Sequence, residues 1–431
     1  MIRRSLGAFR ATFRSLSVRN FRLFFTGQLI SQVGNWLTSV GLVLFVLHRT
    51  HSGIAIGLLT AAQFGPILLL GAWAGLVADR SNKRKLLLTT QTLEMVQSFG
   101  LAALAFWPGA PLWSFYTVAF AGGVMLAFDN PTRRSFVSEM VPESQLQNAV
   151  SLNAALMTSS RIVGPALAGL LSVTVGFGWC FAIDGVSYFA VIACLLMMRT
   201  AELHRAPVTE RARGQVRAGL RYVRRTADLW VPLVMLAVIG TLTFNFSVVL
   251  PLMIERTLGG TDATYTAVYS VLSVGSLLGA LAASHRNRVE VRTMATSALV
   301  FGVAMLAFST APDVAVAYPL ALLVGFASVW FMTASTAMMQ LRSDPRMRGR
   351  VLALQAIVLI GTTPVGGPLL GYVSDALGAR CGIVLGGIAA IGAAVYGYVA
   401  GRRIRRGASK EEIADTIAEE ETIRASANSA A

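Results

Sequence analysis

Charge is scarce in this chain. Of 431 residues, 13% are charged and 55% hydrophobic, against about 25% charged in an average soluble domain; an ordinary water-soluble globule is excluded. Histidine (4) and cysteine (3) are rare too. His48, His51, His204 and His285 are scattered among connections, and Cys180, Cys194 and Cys381 show no C-x-x-C spacing. A metal site and a disulfide framework therefore both lack their ligands, and the cysteines read as small buried hydrophobes. Nor does the chain contain a G-x-x-x-x-G-K-[ST] phosphate loop, a G-x-S-x-G, an H-E-x-x-H or a G-x-G-x-x-G. No cofactor and no enzymatic step are expected.

What the chain does have is apolar length. Runs of about 18 or more residues with few charges are candidate membrane helices. Twelve occur, at 23–47, 54–78, 86–106, 112–130, 149–173, 178–198, 230–254, 264–284, 293–311, 314–339, 351–373 and 380–400. The first is too long for the apolar region of a signal peptide and lacks a small-residue cleavage site. The formal charge of +16 follows the same frame. With both termini cytoplasmic, Arg49, Arg256 and Arg380 alone fall on the outer side, Arg161 lies within a span, and every other Lys or Arg is cytoplasmic. That is the positive-inside bias; the basic balance addresses an anionic inner leaflet and not nucleic acid. Lys83, Lys85 and Lys410 are the only lysines, a compositional hint of a high-GC bacterium and hence of its cytoplasmic (inner) membrane.

The spans fall into two sets of six. Residues 1–22 form a basic segment with Ile2, Leu6, Phe9, Phe13 and Leu16 on one helical stripe, suited to lie in the membrane interface. Residues 23–198 hold the first six spans, 199–228 a basic cytoplasmic linker with its own stripe of Val216, Leu220 and Val223, 229–401 the second six, and 402–431 a cytoplasmic tail. The halves look related. "GAWAGLVADRSNKR" (71–84) aligns with "GSLLGALAASHRNR" (275–288), and "VGPALAG" (163–169) with "VGGPLLG" (365–371), at nearly equal offsets. A parallel six-plus-six repeat of this kind accompanies a central site between halves.

Several motifs sharpen this reading. "GLVADRSNKRK" (75–85) combines a small-residue contact surface at Gly71 and Gly75 with Asp79, Arg80, Lys83 and Arg84 at the cytoplasmic end of the second span. Asp79 can meet a helix N-terminus or an arginine. The stretch resembles the G-x-x-x-D-R-x-x-R/K signature of the major facilitator superfamily. "NFRLFFTGQLISQVGNWL" (20–37), "FDNPTRRSFVSEMVPESQLQNAVSLN" (128–153), "RIVGPALAG" (161–169) and "RMRGRVLALQAIVLIGTTPVGGPLLG" (346–371) are similar to its drug:proton antiporter branch, which includes the enterobactin exporter and actinobacterial macrolide and multidrug efflux proteins. The resemblance implies an all-α membrane protein of 12 transmembrane helices. It also implies proton-coupled alternating access, usually export, of a small and moderately hydrophobic molecule, with protons as the coupling ion. The likeness further implies a cytoplasmic latch in which Gly75, Asp79, Arg80, Lys83 and Arg84 join Asp129 and Arg133 at the foot of span 4. Asn82 stands where the family usually has glycine, and Ala283 replaces the acid in the second-half copy. Gly164, Pro165 and Gly169 resemble the antiporter motif of span 5, a kink and close-packing surface.

Polar residues inside spans are the remaining candidates, because a charge near the bilayer centre costs at least ~2.5–3.5 kcal/mol on insertion scales. Arg161 stands roughly 20 Å from the inner end of its span, and Asp184 roughly 9 Å from the outer end of the next. In a core of about 30 Å those depths nearly coincide, so the two are expected to pair, as a structural ion pair or as a coupling element; no contact is the third alternative. Glu94, near Gln91 and Gln97, is either a hydrogen-bonding group or a proton carrier. Gln28, Gln32, Asn35 and Ser39 recur at four, three and four on one helical stripe, serving as glue between helices or as a cavity face. Asn35 occupies the region where many proton-coupled relatives carry an acid. Asn245 and Gln355 are further cavity-lining candidates. Trp36, Phe64, Phe128, Phe244, Phe246, Met338 and Met339 suit an adaptable apolar pocket or simply the core. The chain is expected to work as a monomer exporting a drug- or siderophore-like molecule. The alternatives are a nutrient importer and a non-transporting scaffold, the latter having no need of embedded charges.

Overall fold

The computed structural model describes residues 13–204, 215–283, 290–345 and 347–403, and every regular element there is helical. Most of the 1–22 segment and of the 402–431 tail, the second-half basic copy with Arg288, and His285 lie outside those residues. A short turn, Arg14–Ser17, is tied down by the Ser15 hydroxyl donating to Asn148 at 2.7 Å.

The first half is a chain of long helices with tight connections. α1 (Arg19–Thr50) and α2 (Gly53–Arg80) are joined by two residues, of which His51 takes the left-handed conformation (φ 47°) and Ser52 caps α2 by accepting from Ala55 N at 3.3 Å. Asn82 caps α3 (Lys83–Phe106) by accepting from Lys85 N at 3.1 Å. α4 (Leu112–Met140), α5 (Glu143–Thr174) and α6 (Phe177–Leu196) follow, with Gly176 at φ 85° turning the last corner, a conformation that glycine reaches without strain.

In the second half, α7 (Gln215–Arg225) is the linker helix; its Val223 and Leu220 pack against Leu229, Leu233, Met339, Val351 and Leu354 and dock the linker on that half. α8 (Ala227–Leu242), α9 (Phe246–Leu252), α10 (Asp262–Ala283), α11 (Val291–Ser309), α12 (Val314–Leu341), α13 (Arg348–Gly361), α14 (Thr363–Leu377) and α15 (Ala379–Arg403) complete it.

Eleven helical segments among the described residues are long and apolar enough to cross a membrane. Their outward faces suit lipid: Leu69 is 75% and Trp113 66% exposed, apolar surface that a water-soluble chain would hide. α3 falls below that hydropathy because Thr90, Gln91, Glu94 and Ser98 are buried along it, against α4 and α6.

Three expected spans need correction. The one at 112–130 continues as α4 through Pro131 to Met140, so the "FDNPTRRS" stretch is helical. The one at 230–254 is interrupted at Thr243–Asn245 and ends in a widened turn, Met253–Thr257. The one at 351–373 breaks at Thr362 into α13 and α14. There Pro364 has no N–H to return to the carbonyl four residues earlier, and the ladder restarts with Gly366 N donating to Thr362 O at 2.9 Å.

Most packing is within halves: α1 on α5 and α6, α2 on α4, α3 on α4 and α6, α10 on α12, α11 on α12. Two extensive pairings cross between halves, α2 with α14 and α5 with α10. The bundle has an arginine-poor end, with the α1–α2, α3–α4, α5–α6 and α14–α15 corners, and an arginine-rich end, with the α2–α3, α4–α5 and α6–α8 connections.

Candidate functional site

Helical periodicity places Gln28, Gln32, Asn35 and Thr38 on one side of α1, and that side faces the first half's own helices. Arg133 Nη1 donates to Gln28 Oε1 at 2.9 Å, Gln32 Nε2 to Met157 Sδ at 3.1 Å, the Tyr188 hydroxyl to Asn35 Oδ1 at 2.8 Å, and the Thr38 hydroxyl to Asp184 Oδ2 at 2.6 Å. The stripe therefore joins α1 to α4, α5 and α6. Ser39, the fourth expected member, is exposed.

Asp184 is buried on α6, accepting also from Ser98 on α3 at 2.8 Å. Gly34 lets α1 come this close, since a Cβ there would lie 2.5 Å from Asp184 Oδ1. Arg161 is not a partner. It is exposed on the other side of the α5 layer, within electrostatic reach of Tyr269 on α10, and among the described residues makes no hydrogen bond or ion pair. The expected pair fails because matching depth does not fix the helix face: Asp184 looks into the first half and Arg161 towards the second. Ser98 and Thr38 went unnoticed in the sequence, although Thr38 continues the stripe from Asn35 by three residues.

A second buried network lies nearer the arginine-rich end. Gln91 Nε2 donates to Glu94 Oε2 (2.8 Å) and Asp129 Oδ1 (2.9 Å), Thr90 donates to Asp129 (3.2 Å), and Arg133 pairs with Asp129 one turn away. Glu94, Asp129 and Arg133 are 5%, 0% and 8% exposed, so the Asp129–Arg133 pair lies out of water, with Glu94 joined to it through Gln91. Buried charges persist only when paired and hydrogen-bonded, and here the pairing depends on α4 staying helical past Pro131. Beside it Lys83 pairs with Glu139, and Arg84 donates to the last carbonyls of α6, Leu195 O at 2.7 Å and Leu196 O at 3.1 Å, a favourable place for a cation.

The halves meet at mid-depth around Trp36. A Cβ on Gly164 would stand 2.4 Å from Trp36 Cγ, and the indole contacts the Tyr269 ring at 5.8 Å between centroids. One residue thus couples α1, α5 and α10. A turn further on, a Cβ on Gly169 would clash with Thr266 of α10. Gly164, Pro165 and Gly169 are all buried on this seam. The second-half candidates serve their own half: Asn245 Nδ2 donates to Thr241 O at 2.8 Å across the break before α9, and Gln355 donates to Thr336 at 3.0 Å. Phe244 and Phe246 stack with Phe301, while Met338 and Met339 are fully buried.

At the arginine-poor end the halves are sealed. Asp375 on α14 accepts from Ser52 Oγ (2.9 Å), Gly53 N (2.7 Å) and Ile54 N (2.9 Å) at the start of α2, and from Arg256 Nη1 (2.8 Å), while Arg256 also donates to His51 O. His48 lies 2.9 Å from Asp262 across the other seam. At the arginine-rich end a Cβ on Gly75 or Gly349 would meet nothing within 4 Å, and one on Gly71 only Ile67 of its own helix. These three positions therefore carry no packing between halves, and α13 meets α2 further in, where a Cβ on Gly361 would lie 2.5 Å from Leu68 Cδ1.

The family model described as transmembrane secretion effector matches residues 10–428. The chain belongs to the major facilitator superfamily. Among similar proteins, the staphyloferrin A transporter of Staphylococcus aureus (strain NCTC 8325 / PS 47) is 22% identical, covering 89% of this chain and 97% of that protein. Macrolide efflux protein A of Streptococcus pyogenes is 22% identical (85% and 92%), and the multidrug efflux pump Tap of Mycolicibacterium fortuitum 26% (81% and 88%). Of solved structures, a bacterial homologue of the human lysosomal transporter Spinster, inward-facing and unoccupied, superposes with TM-score 0.72 at 15% identity, over 89% of this chain and 96% of that one. A POT family transporter in complex with a thioalcohol-conjugated peptide gives 0.73 at 11%, over 90% and 96%. At those identities the structures share the fold alone. As a major facilitator chain it is a multi-pass membrane transporter and not an enzyme.

Proposed function

We propose that this chain is a secondary active exporter of the bacterial cytoplasmic membrane, exchanging a small, moderately hydrophobic drug- or siderophore-like molecule for protons by alternating access. The observation that carries the reading is the asymmetry of contact between halves, bonded through Asp375, Arg256, His48 and Asp262 at one end and without packing at Gly75 and Gly349 at the other. A single pathway open to one side at a time has that form. The efflux proteins among its relatives supply the direction, and their bacterial sources the membrane.

The arginine-rich end is cytoplasmic by charge bias, which makes this conformation open to the cytoplasm and puts both termini inside. α3 is the twelfth span, its polar side spent on Asp129 and Asp184. The six-helix halves (23–198 and 229–401) repeat one another, supported by α2–α4 packing mirrored in α10–α12 and α2–α14 in α10–α5. Arg161, exposed and within electrostatic reach of Tyr269, is the substrate contact. Glu94 and Asp184, held by neutral donors within the first half, are the proton-exchanging acids. Asp79 with Arg80, Lys83, Arg84, Asp129 and Arg133 forms the cytoplasmic latch. The chain works as a monomer, its exposed apolar faces in contact with lipid.

Inverted vesicles with an imposed proton gradient, challenged with lipophilic cations, macrolides, tetracyclines and siderophores, test this. Substrate-induced collapse of the gradient is expected for one class. Arg161→Ala is expected to fold at wild-type yield, since it breaks no hydrogen bond, and to lose that response at least about tenfold, the cost of one charge-assisted contact. A folded wild-type protein silent to every class sinks antiport; an Arg161→Ala variant with full response removes the arginine from the site.

A further inference from the structure

Gly371-Tyr-Val-Ser-Asp375 at the arginine-poor end of α14 has the same G-x-x-x-D form as Gly75-Leu-Val-Ala-Asp79 at the arginine-rich end of α2. The two stretches are not equivalent under the parallel repeat, which relates α2 to α10. They are related instead by the antiparallel contact of α2 with α14. In that contact Gly53 stands against Gly371 (a Cβ on Gly371 would lie 2.2 Å from Gly53 O) and Gly57 against Gly367 (2.5 Å from Gly367 O). As the α2 number rises by four, the α14 number falls by four. The absence of side chains at all four positions brings the backbones together, and Asp375, one turn beyond Gly371, then reaches the free N–H groups of Gly53 and Ile54 and the Ser52 hydroxyl. A carboxylate there satisfies donors that no helical carbonyl can and meets the positive end of the helix dipole.

Beyond the break at Thr362, the arginine-rich end has Gly75 and Asp79 in the last turns of α2 and Gly349 in the first turn of α13. α2 and α14 thus each carry a G-x-x-x-D near the C-terminal end, and α2 and α13 each carry a glycine in the opening turn. Gly371 is packed on Gly53, while Gly75 and Gly349 each face open space.

We infer that Gly371 and Asp375 are an outer clasp, the counterpart by antiparallel symmetry of the α2 motif, and that Asp375 is the positioning residue which sets how much of the protein is closed to the outside. The inference rests on the alternating-access reading. In it, opening to the outside removes Asp375 from the α2 terminus and costs its charge-assisted bonds, while at the inner end the open faces of Gly75 and Gly349 close. The break at Thr362 separates α13 from α14, so the two ends of this span move as separate rods.

The two clasps give opposite signs for the same substitution. Gly371→Ala puts a methyl into Gly53 O and opens the outer end. Gly75→Ala meets nothing here and obstructs only the inner closure, so it holds the outer end shut. Spin labels at Trp107→Cys and Thr310→Cys report the outer separation, and at Ser144→Cys and Gln340→Cys the inner one, in a variant lacking the three native cysteines. All four label positions are exposed. In nanodiscs, Asp375→Asn and Gly371→Ala are expected to raise the outward-open fraction about tenfold or more, as loss of charge-assisted bonds from one state requires, lengthening the outer and shortening the inner distances. Gly75→Ala is expected to do the reverse. Arg256→Gln, which removes the cation and leaves the helix contact intact, gives the same direction as Asp375→Asn should the latter not fold. A wild-type protein that switches between two distance sets while Asp375→Asn and Gly371→Ala match it overturns the clasp alone. A wild-type protein with one set under every gradient and substrate overturns alternating access and the clasp with it.

Discussion

At Gly164 a single methyl group decides how three helices pack. The α5 backbone there lies against Trp36 of α1, whose indole continues onto Tyr269 of α10. Gly164→Ala forces the indole off its seat, an overpacking that costs typically ~1–3 kcal/mol. The expected outcome is a lower thermal transition of the purified protein and a shifted tryptophan emission, since the ring loses its contact with α5. An unchanged transition would mean that α5 can slide away from α1 without cost. The sequence marked Gly164-Pro165 as unusual but could not name Trp36 as its reason, because the contact is between helices more than a hundred residues apart. The same limit explains Asp184 and Arg161. Depth in a bilayer follows from counting residues along a helix, so their matching heights were legible. The face each presents depends on how neighbouring helices are rotated, which no single span encodes.

Helices were found in the sequence by apolar length, and what length cannot show is where a helix outruns its apolar part or stops within it. α4 is the consequential case. Its apolar run ends near Asp129, yet ten further residues stay helical through Pro131, and this extension brings Arg133 one turn beyond Asp129 and within 2.9 Å of Gln28. Removing one partner of a buried ion pair costs ~3–5 kcal/mol because the other charge is left without compensation. Arg133→Met is therefore expected to abolish most folded protein, whereas Asp129→Asn combined with Arg133→Met recovers part of the yield by leaving no buried charge of that pair. Yields of monodisperse protein for the two singles and the double, read as a cycle, check this. A double variant as poor as Arg133→Met alone would place the role of Arg133 with Gln28 rather than Asp129. The breaks at Asn245 and Thr362 were hidden for a different reason. Both lie inside strongly apolar runs, and hydropathy averages over them, although "GTTPVGGP" did hold a proline with no N–H for the helical ladder.

For the whole molecule, the charge asymmetry was the most legible property of all, since it needs no contact between helices, only the order of spans and loops. It also makes a prediction that is independent of transport. Translocating the basic segments at 81–85, 133–134 and 199–226 would carry more than a dozen arginines and lysines across the hydrocarbon, each at ~2.5–3.5 kcal/mol on insertion scales. The opposite face asks the translocation of Arg49, Arg256 and Arg380 only. In a variant without native cysteines, Trp107→Cys at the arginine-poor end is expected to react with a membrane-impermeant maleimide on intact bacterial cells. Ser144→Cys, at the start of α5, is expected to react only after permeabilisation. The reverse pattern would turn the molecule over, making the sealed end cytoplasmic and this conformation open to the outside. The Asp375 clasp would then guard the inner entrance, and the signs expected for Gly371→Ala and Gly75→Ala at each membrane face would exchange.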